Sequence, residues 1–130
     1  MNFIPQLTNL GKLEIIEVYV YYDIPCLFSC KNLTGHIFLA VWIDETEVED
    51  IWLYVPLSGR RFQSIRSGKI DLRDAFLKSE DSFVYKVIIP KENLPSLVET
   101  ILCDRLNKDW LPAAGEYLEC EPQKLNILNV

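Results

Sequence analysis

Four strand-sized runs of β-branched and aromatic residues fill most of positions 13–55, each closed by a turn or a breaker, and this punctuation dictates a sheet. The first, Leu13–Tyr22 (LEIIEVYVYY), is apolar on both faces, the pattern of a central strand. Pro25 then removes a ladder donor and biases Ile24 toward an extended conformation, so Asp23-Ile24-Pro25 reads as a break. Residues 26–31 (CLFSCK) form a second short strand. Asn32-Leu33-Thr34-Gly35 has hairpin chemistry, with Gly35 free to take positive φ. Residues 36–43 (HIFLAVWI) return almost wholly apolar, and an acidic loop over 44–50 joins them to residues 51–55 (IWLYV).

After Pro56 the period changes. Ser58 can N-cap a short helix through Arg66, with Leu57 and Phe62 placed as a hydrophobic staple and Gly68 at the expected stop. Asp71 can cap a second helix over 72–78, with Leu72, Ala75 and Phe76 facing inward. Residues 82–89 (SFVYKVII) read as one more strand, ended by Pro90. Leu94, Leu97, Val98, Ile101, Leu102 and Leu106 then fall at helical spacing, with Asn93 as cap and Pro95 in the tolerated first turn, which predicts a longer amphipathic helix. The fold class that follows is α+β: an antiparallel β-meander with two short helices after the fourth strand, a further strand and that longer helix, packed mainly on one face.

At 130 residues and 15.1 kDa the chain is read as one domain, with a core at about residues 8–108 and an apolar segment over 109–130 packed on the body or a partner. With 49% apolar residues it can bury a core without a disulfide or a metal. No run approaches the roughly eighteen apolar residues that span a bilayer, and the first residues lack the charged and apolar regions of a signal peptide, so no membrane contact and a cytoplasmic location are expected. Cys26 and Cys30, four apart in a strand, would hold their Cα atoms roughly 13 Å apart, beyond the limit of about 7 Å for a disulfide. The cysteines, Cys103 and Cys120 included, are read as reduced thiols.

Chemistry is thin. There is no CxxC, GxxxxGK[ST], GxGxxG or GxSxG, and the single His36 cannot assemble a usual zinc set with scattered thiols. The acids at 44–50 lack apolar walls that would raise a pKa, and they lack the alternating ligands of a calcium loop. Asp23 is a turn residue first. No catalytic residue, cofactor or metal is therefore assigned.

Charge is segregated. Residues 1–57 carry net −6, residues 58–79 carry +4 and residues 80–130 carry −4, so the basic character lies in the predicted helical hairpin. Arg60, Arg61, Arg66, Lys69 and Arg73 are the candidate contact residues for a partner or an anion, since arginine offers bidentate donors to phosphate or carboxylate. The plainer and favoured account is a solvated face paired with the chain's own acids, such as those at 44–50, at no more than about 1 kcal/mol per exposed pair. Nucleic acid is disfavoured by an overall charge of −6. Tyr19, Tyr21, Tyr22, Phe28, Phe38, Trp42, Trp52 and Tyr54 concentrate over the sheet and read as core filling with hydroxyls at the boundary.

The blocks Tyr21-Tyr22-Asp23-Ile24-Pro25-Cys26-Leu27-Phe28, Trp52-Leu53-Tyr54-Val55-Pro56-Leu57-Ser58 and Ser67-Gly68-Lys69-Ile70-Asp71-Leu72-Arg73-Asp74-Ala75 together resemble a family of small uncharacterised prokaryotic domains. The resemblance covers residues 8–90 and leaves the tail after Lys91 outside it. It implies an architecture and no catalytic residues. Arg60, Arg61 and Arg73 are needed for neither caps nor core in this reading, which singles them out as contacts. The expectation is a non-enzymatic interaction or regulatory subunit with a partner protein, perceived in a defence or stress setting, and compatible with a homo-oligomer. The alternative is a module for a small anionic ligand or phosphate, with at most weak hydrolase activity, centred on the arginines.

Overall fold

The computed structural model describes residues 3–5 and 8–120. Six strands form one antiparallel sheet: β1 (Leu13–Tyr22), β2 (Ile24–Asn32), β3 (Ile37–Glu45), β4 (Glu49–Leu57), β5 (Phe83–Pro90) and β6 (Leu97–Leu102). Their order in space is their order in the chain, which makes the sheet a meander. Two helices, α1 (Gly59–Arg66) and α2 (Leu72–Leu77), sit between β4 and β5, so the class is α+β. Single 3-10 turns follow at Cys103–Arg105 and Lys108–Trp110.

Local chemistry places the turns. Gly35 takes φ +89° and donates its N–H to the Asn32 carbonyl at 3.0 Å. The Asn32 side-chain oxygen accepts from the N–H groups of Thr34 and His36, which closes the β2–β3 hairpin. Asp23, at φ +63°, turns β1 into β2, a conformation that short polar side chains tolerate. At β3–β4 the Thr46 hydroxyl accepts from the N–H groups of Val48 and Glu49.

Alternation along the strands divides the buried side chains into two clusters. Leu27, Leu39, Leu53, Val55 and Val84 pack with Phe62 and Ile65 of α1, with Leu72 and Phe76 of α2, and with Leu106, Leu111 and Leu118 of the segment that follows β6. Phe28, Phe38, Trp52, Tyr54, Val87 and Ile89 pack together with Leu10 and Leu13. In this second cluster the rings meet edge-on, Phe28 against Trp52 at 5.5 Å, and the Tyr54 hydroxyl donates to the Phe3 carbonyl at 2.8 Å. Aromatic filling of the sheet is thus what most of these rings do, with Tyr21 and Tyr22 left outside.

Several sequence expectations are corrected. Leu13–Tyr22 is an edge strand, not a central one. Part of its apolar surface is left open, with Ile15, Ile16 and Val20 38–39% exposed. Register shifts at Ile15/Glu17, Val18/Val20 and Val20/Tyr21 interrupt its pairing with β2. Pro25 and Pro56 lie inside strands: Pro25 near the start of β2, and Pro56 beyond Tyr54↔Tyr85, the last β4–β5 pair, where one side of β4 has no neighbour to receive a donor. The acidic stretch is mostly hairpin strand, and Asp50 is walled in rather than open, at 1% exposure. Burial pushes its carboxyl pKa up, and its Oδ1 has no hydrogen-bond partner.

The largest correction concerns the predicted helix over 94–106, which is the strand β6 followed by a 3-10 turn. Val98 packs on one cluster and Ile101 on the other, so two residues three apart serve opposite faces of a strand and imitate one face of a helix. Their true neighbours are Val87 and Val84 on β5. Of the apolar tail, Leu111 and Leu118 are buried, whereas Leu125, Ile127 and Leu128 lie outside the described residues.

Candidate interaction surfaces

The helical hairpin is built by its caps. The Ser58 side chain accepts from the Arg61 N–H at 3.1 Å, while its own N–H and hydroxyl donate to the two Glu80 carboxylate oxygens at 2.8 and 2.7 Å. These contacts at the positive end of α1 lower the Glu80 pKa against the opposing effect of burial. Gly68, at φ +80°, ends α1, with the Lys69 N–H returning to the Ser64 carbonyl at 2.9 Å. Asp71 caps α2 through Asp74 N–H at 2.9 Å and also accepts from the Gly115 N–H at 2.9 Å. These two backbone donors hold the Asp71 carboxyl below the usual range.

The five candidate cations have different employments. Arg66 makes a two-pronged contact with Glu17 on β1, Nε and a terminal nitrogen each at 2.8 Å, with its guanidinium over the Phe62 ring at 5.9 Å. The hydrogen bond to Arg66 keeps the Glu17 pKa low. Arg61 donates to the carbonyls of Asp74 and Lys78 at 3.2 and 2.5 Å, filling the Lys78 acceptor at the end of α2 and sharing the Asp74 carbonyl with the Lys78 N–H. Arg73 donates to the Pro112 carbonyl at 3.1 Å and so ties α2 to the segment after β6. Arg61 and Arg73 therefore do serve the hairpin and its packing, contrary to the sequence reading. Arg60 and Lys69 are exposed, and their side chains make no hydrogen bond or ion pair among the described residues.

The acids at 44–50 do not neutralise this hairpin. Glu45 pairs instead with Lys91, and the acid that pairs with Arg66 is Glu17. Neither Glu17 nor Glu80 carries a local signal of its role: they lie 49 and 22 positions from their partners, beyond the reach of spacing rules.

A second surface is apolar. The β1–β2 hairpin ends in Tyr21 and Tyr22, 64% and 77% exposed, next to Val20 at 39%. Tyr19, two positions earlier, is half-buried, with its hydroxyl 2.8 Å from the Ser29 hydroxyl and donating to Glu17 at 2.7 Å. Burial raises its pKa. One side of the strand thus anchors while its tip projects.

His36 is exposed on the β2–β3 turn. The Thr34 hydroxyl donates to the Asn32 side-chain oxygen at 2.8 Å and lies 3.1 Å from the His36 Nδ1. Burial pushes the Cys30 thiol up to about 12, the reverse of what a nucleophilic thiolate needs. A cavity of about 470 Å³ opens among His36, Phe38, Glu80, Asp81 and Tyr85. Among the described residues no three His, Cys, Asp or Glu side chains come together to hold a metal, and no helix is long and apolar enough to cross a membrane.

No curated protein matches the chain, and no solved structure does. A family model does match, and it spans residues 1–128, so the tail after Lys91 lies inside the similarity and not beyond it. With a match over nearly its whole length, the chain belongs to the Family of unknown function (DUF6575).

Proposed function

We propose that this domain is a non-enzymatic protein-interaction or regulatory module of a prokaryotic system, meeting its partner through the tip of the β1–β2 hairpin. The supporting observation is the pair Tyr21 and Tyr22, two large rings 64% and 77% exposed at the end of an otherwise anchored ladder. Tyrosine is among the residues that dominate binding energy at protein interfaces, because it covers much area at little cost in side-chain freedom. Arg61, Arg66 and Arg73, by contrast, each direct a guanidinium donor to an acceptor inside the domain.

Affinity capture from the native host at low salt, read by mass spectrometry, tests the proposal. The intact protein is expected to retain a stoichiometric protein partner, and Tyr21→Ala/Tyr22→Ala to lose it with an unchanged melting temperature. Capture that ignores this double substitution overturns the assignment of the tip. A bare protein carrying a nucleotide or other anion supports the alternative, a small anionic-ligand module. That reading keeps Arg60 and Lys69, unpaired among the described residues, as its cations, and Arg60→Ala/Lys69→Ala would then abolish the rise in melting temperature caused by the anion.

A further inference from the structure

The two edges of the sheet differ in how they treat a further strand. β1 meets β2 through three register shifts, at Ile15/Glu17, Val18/Val20 and Val20/Tyr21, and carries Glu14 and Glu17. Bulges and charges of this kind turn an edge away from further pairing. β6 pairs with β5 in unbroken register from Phe83↔Leu102 to Ile88↔Leu97. It contains no proline, its one charge is Glu99, and its Leu97 and Leu102 are 55% and 51% exposed. Among the described residues nothing pairs with its other side.

The backbone groups on that open side can be assigned. The Cys103 N–H donates to the Ser82 carbonyl at 2.9 Å, continuing the β5–β6 register, so position 103 faces β5. Hydrogen-bonding direction alternates along an antiparallel strand. Ile101, Glu99 and Leu97 therefore also face β5, and the N–H and C=O groups of Val98, Thr100 and Leu102 point outward. These three are symmetric about Thr100.

We propose that β6 is a self-association edge, where two copies of the chain pair antiparallel, β6 to β6, about a two-fold axis through Thr100. An axis normal to the sheet sets residues of the same face opposite one another, so it must fall midway between two copies of one residue and not level with the gap between neighbouring residues. With Thr100 on the axis, Thr100 meets Thr100 and Val98 meets Leu102 twice, and threonine and apolar pairs are favourable cross-strand neighbours. Glu99 then lies opposite Ile101 and stays beside Lys86 of its own β5. Moving the axis to Glu99 opposes two carboxylates, and moving it to Ile101 sets Val98 against Asp104. Charge thus disfavours both adjacent registers. The shifts in β1 deny β6 a regular partner there, so the contact closes as a dimer and does not propagate. It is separate from the Tyr21–Tyr22 tip and stands without it.

Sedimentation equilibrium of the whole chain across the micromolar range tests this. The expected result is a reversible monomer–dimer equilibrium, weakened at least tenfold by Leu102→Lys and by Thr100→Pro. Proline at 100 removes only an outward donor, and both variants are expected to melt as the parent does. In the predicted register the Thr100 Cα atoms approach to about 5.5 Å, within disulfide range. Thr100→Cys should therefore oxidise to a covalent dimer above the parent background, and Val98→Cys should do so only when mixed with Leu102→Cys. Should Thr100→Pro fail to fold, Leu102→Lys and the mixed cysteine pair decide. A monomer at every concentration, a dimer indifferent to Leu102→Lys, or open-ended growth would each overturn the proposal.

Discussion

Glu17 and Arg66 join the edge strand β1 to the helix α1, and each side chain is 31% exposed, neither free in solvent nor sealed from it. Two parallel hydrogen bonds fix the geometry, so the pair should exceed the usual surface ion pair, though solvent still screens it. Glu17→Gln is expected to destabilise the protein by about 1 kcal/mol at neutral pH, measured by urea unfolding. The folded pKa of Glu17 lies below its ordinary value of 4.5, chiefly through the Arg66 hydrogen bond. Its contribution is therefore complete above that ordinary value and fades as pH falls through the folded one. The parent and the variant should converge in acid. A difference that persists unchanged at low pH would show that packing of the side chain, and not its charge, was lost.

At the scale of elements, α1 depends on one serine that works in both directions, capping Arg61 and donating to Glu80. Ser58→Ala should cost about 1–2 kcal/mol in chemical denaturation. Asp is as good a cap as Ser at an isolated helix start. Here Ser58→Asp should fail to rescue stability, because its carboxylate would meet that of Glu80. The helix starts at Ser58 and Asp71 and the turn at Gly35 were legible in the sequence because their cause lies within four residues. The edge position of β1 and the strand character of β6 were not, since both depend on which neighbour lies alongside. Leu13–Tyr22 looks central because its outward apolar residues are indistinguishable by type from buried ones. The basic hairpin was legible as a cluster, but the employment of Arg61 and Arg73 was not, because their acceptors are backbone carbonyls that no residue type announces.

For the molecule as a whole, the segment after β6 acts as a strap. Leu111 and Leu118 enter the helix-side cluster, the Leu72 N–H donates to the Glu116 carbonyl at 2.7 Å, and Arg73 and Asp71 grip Pro112 and Gly115. Leu118→Ala should cost about 3 kcal/mol, within the range for large-to-small changes at buried leucines, and thermal unfolding would measure it. Cys120, two positions on, should then react faster with a thiol reagent in the native state. Unchanged reactivity alongside the lost stability would mean that the strap stays seated around a cavity. The meander has a different consequence, for synthesis. Every strand's partner is the strand made just before it, so each segment leaving the ribosome finds a finished template and closes only a short loop. α1 and α2 emerge after β4 and before β5, early enough to cover the growing sheet while its last two strands have yet to be translated.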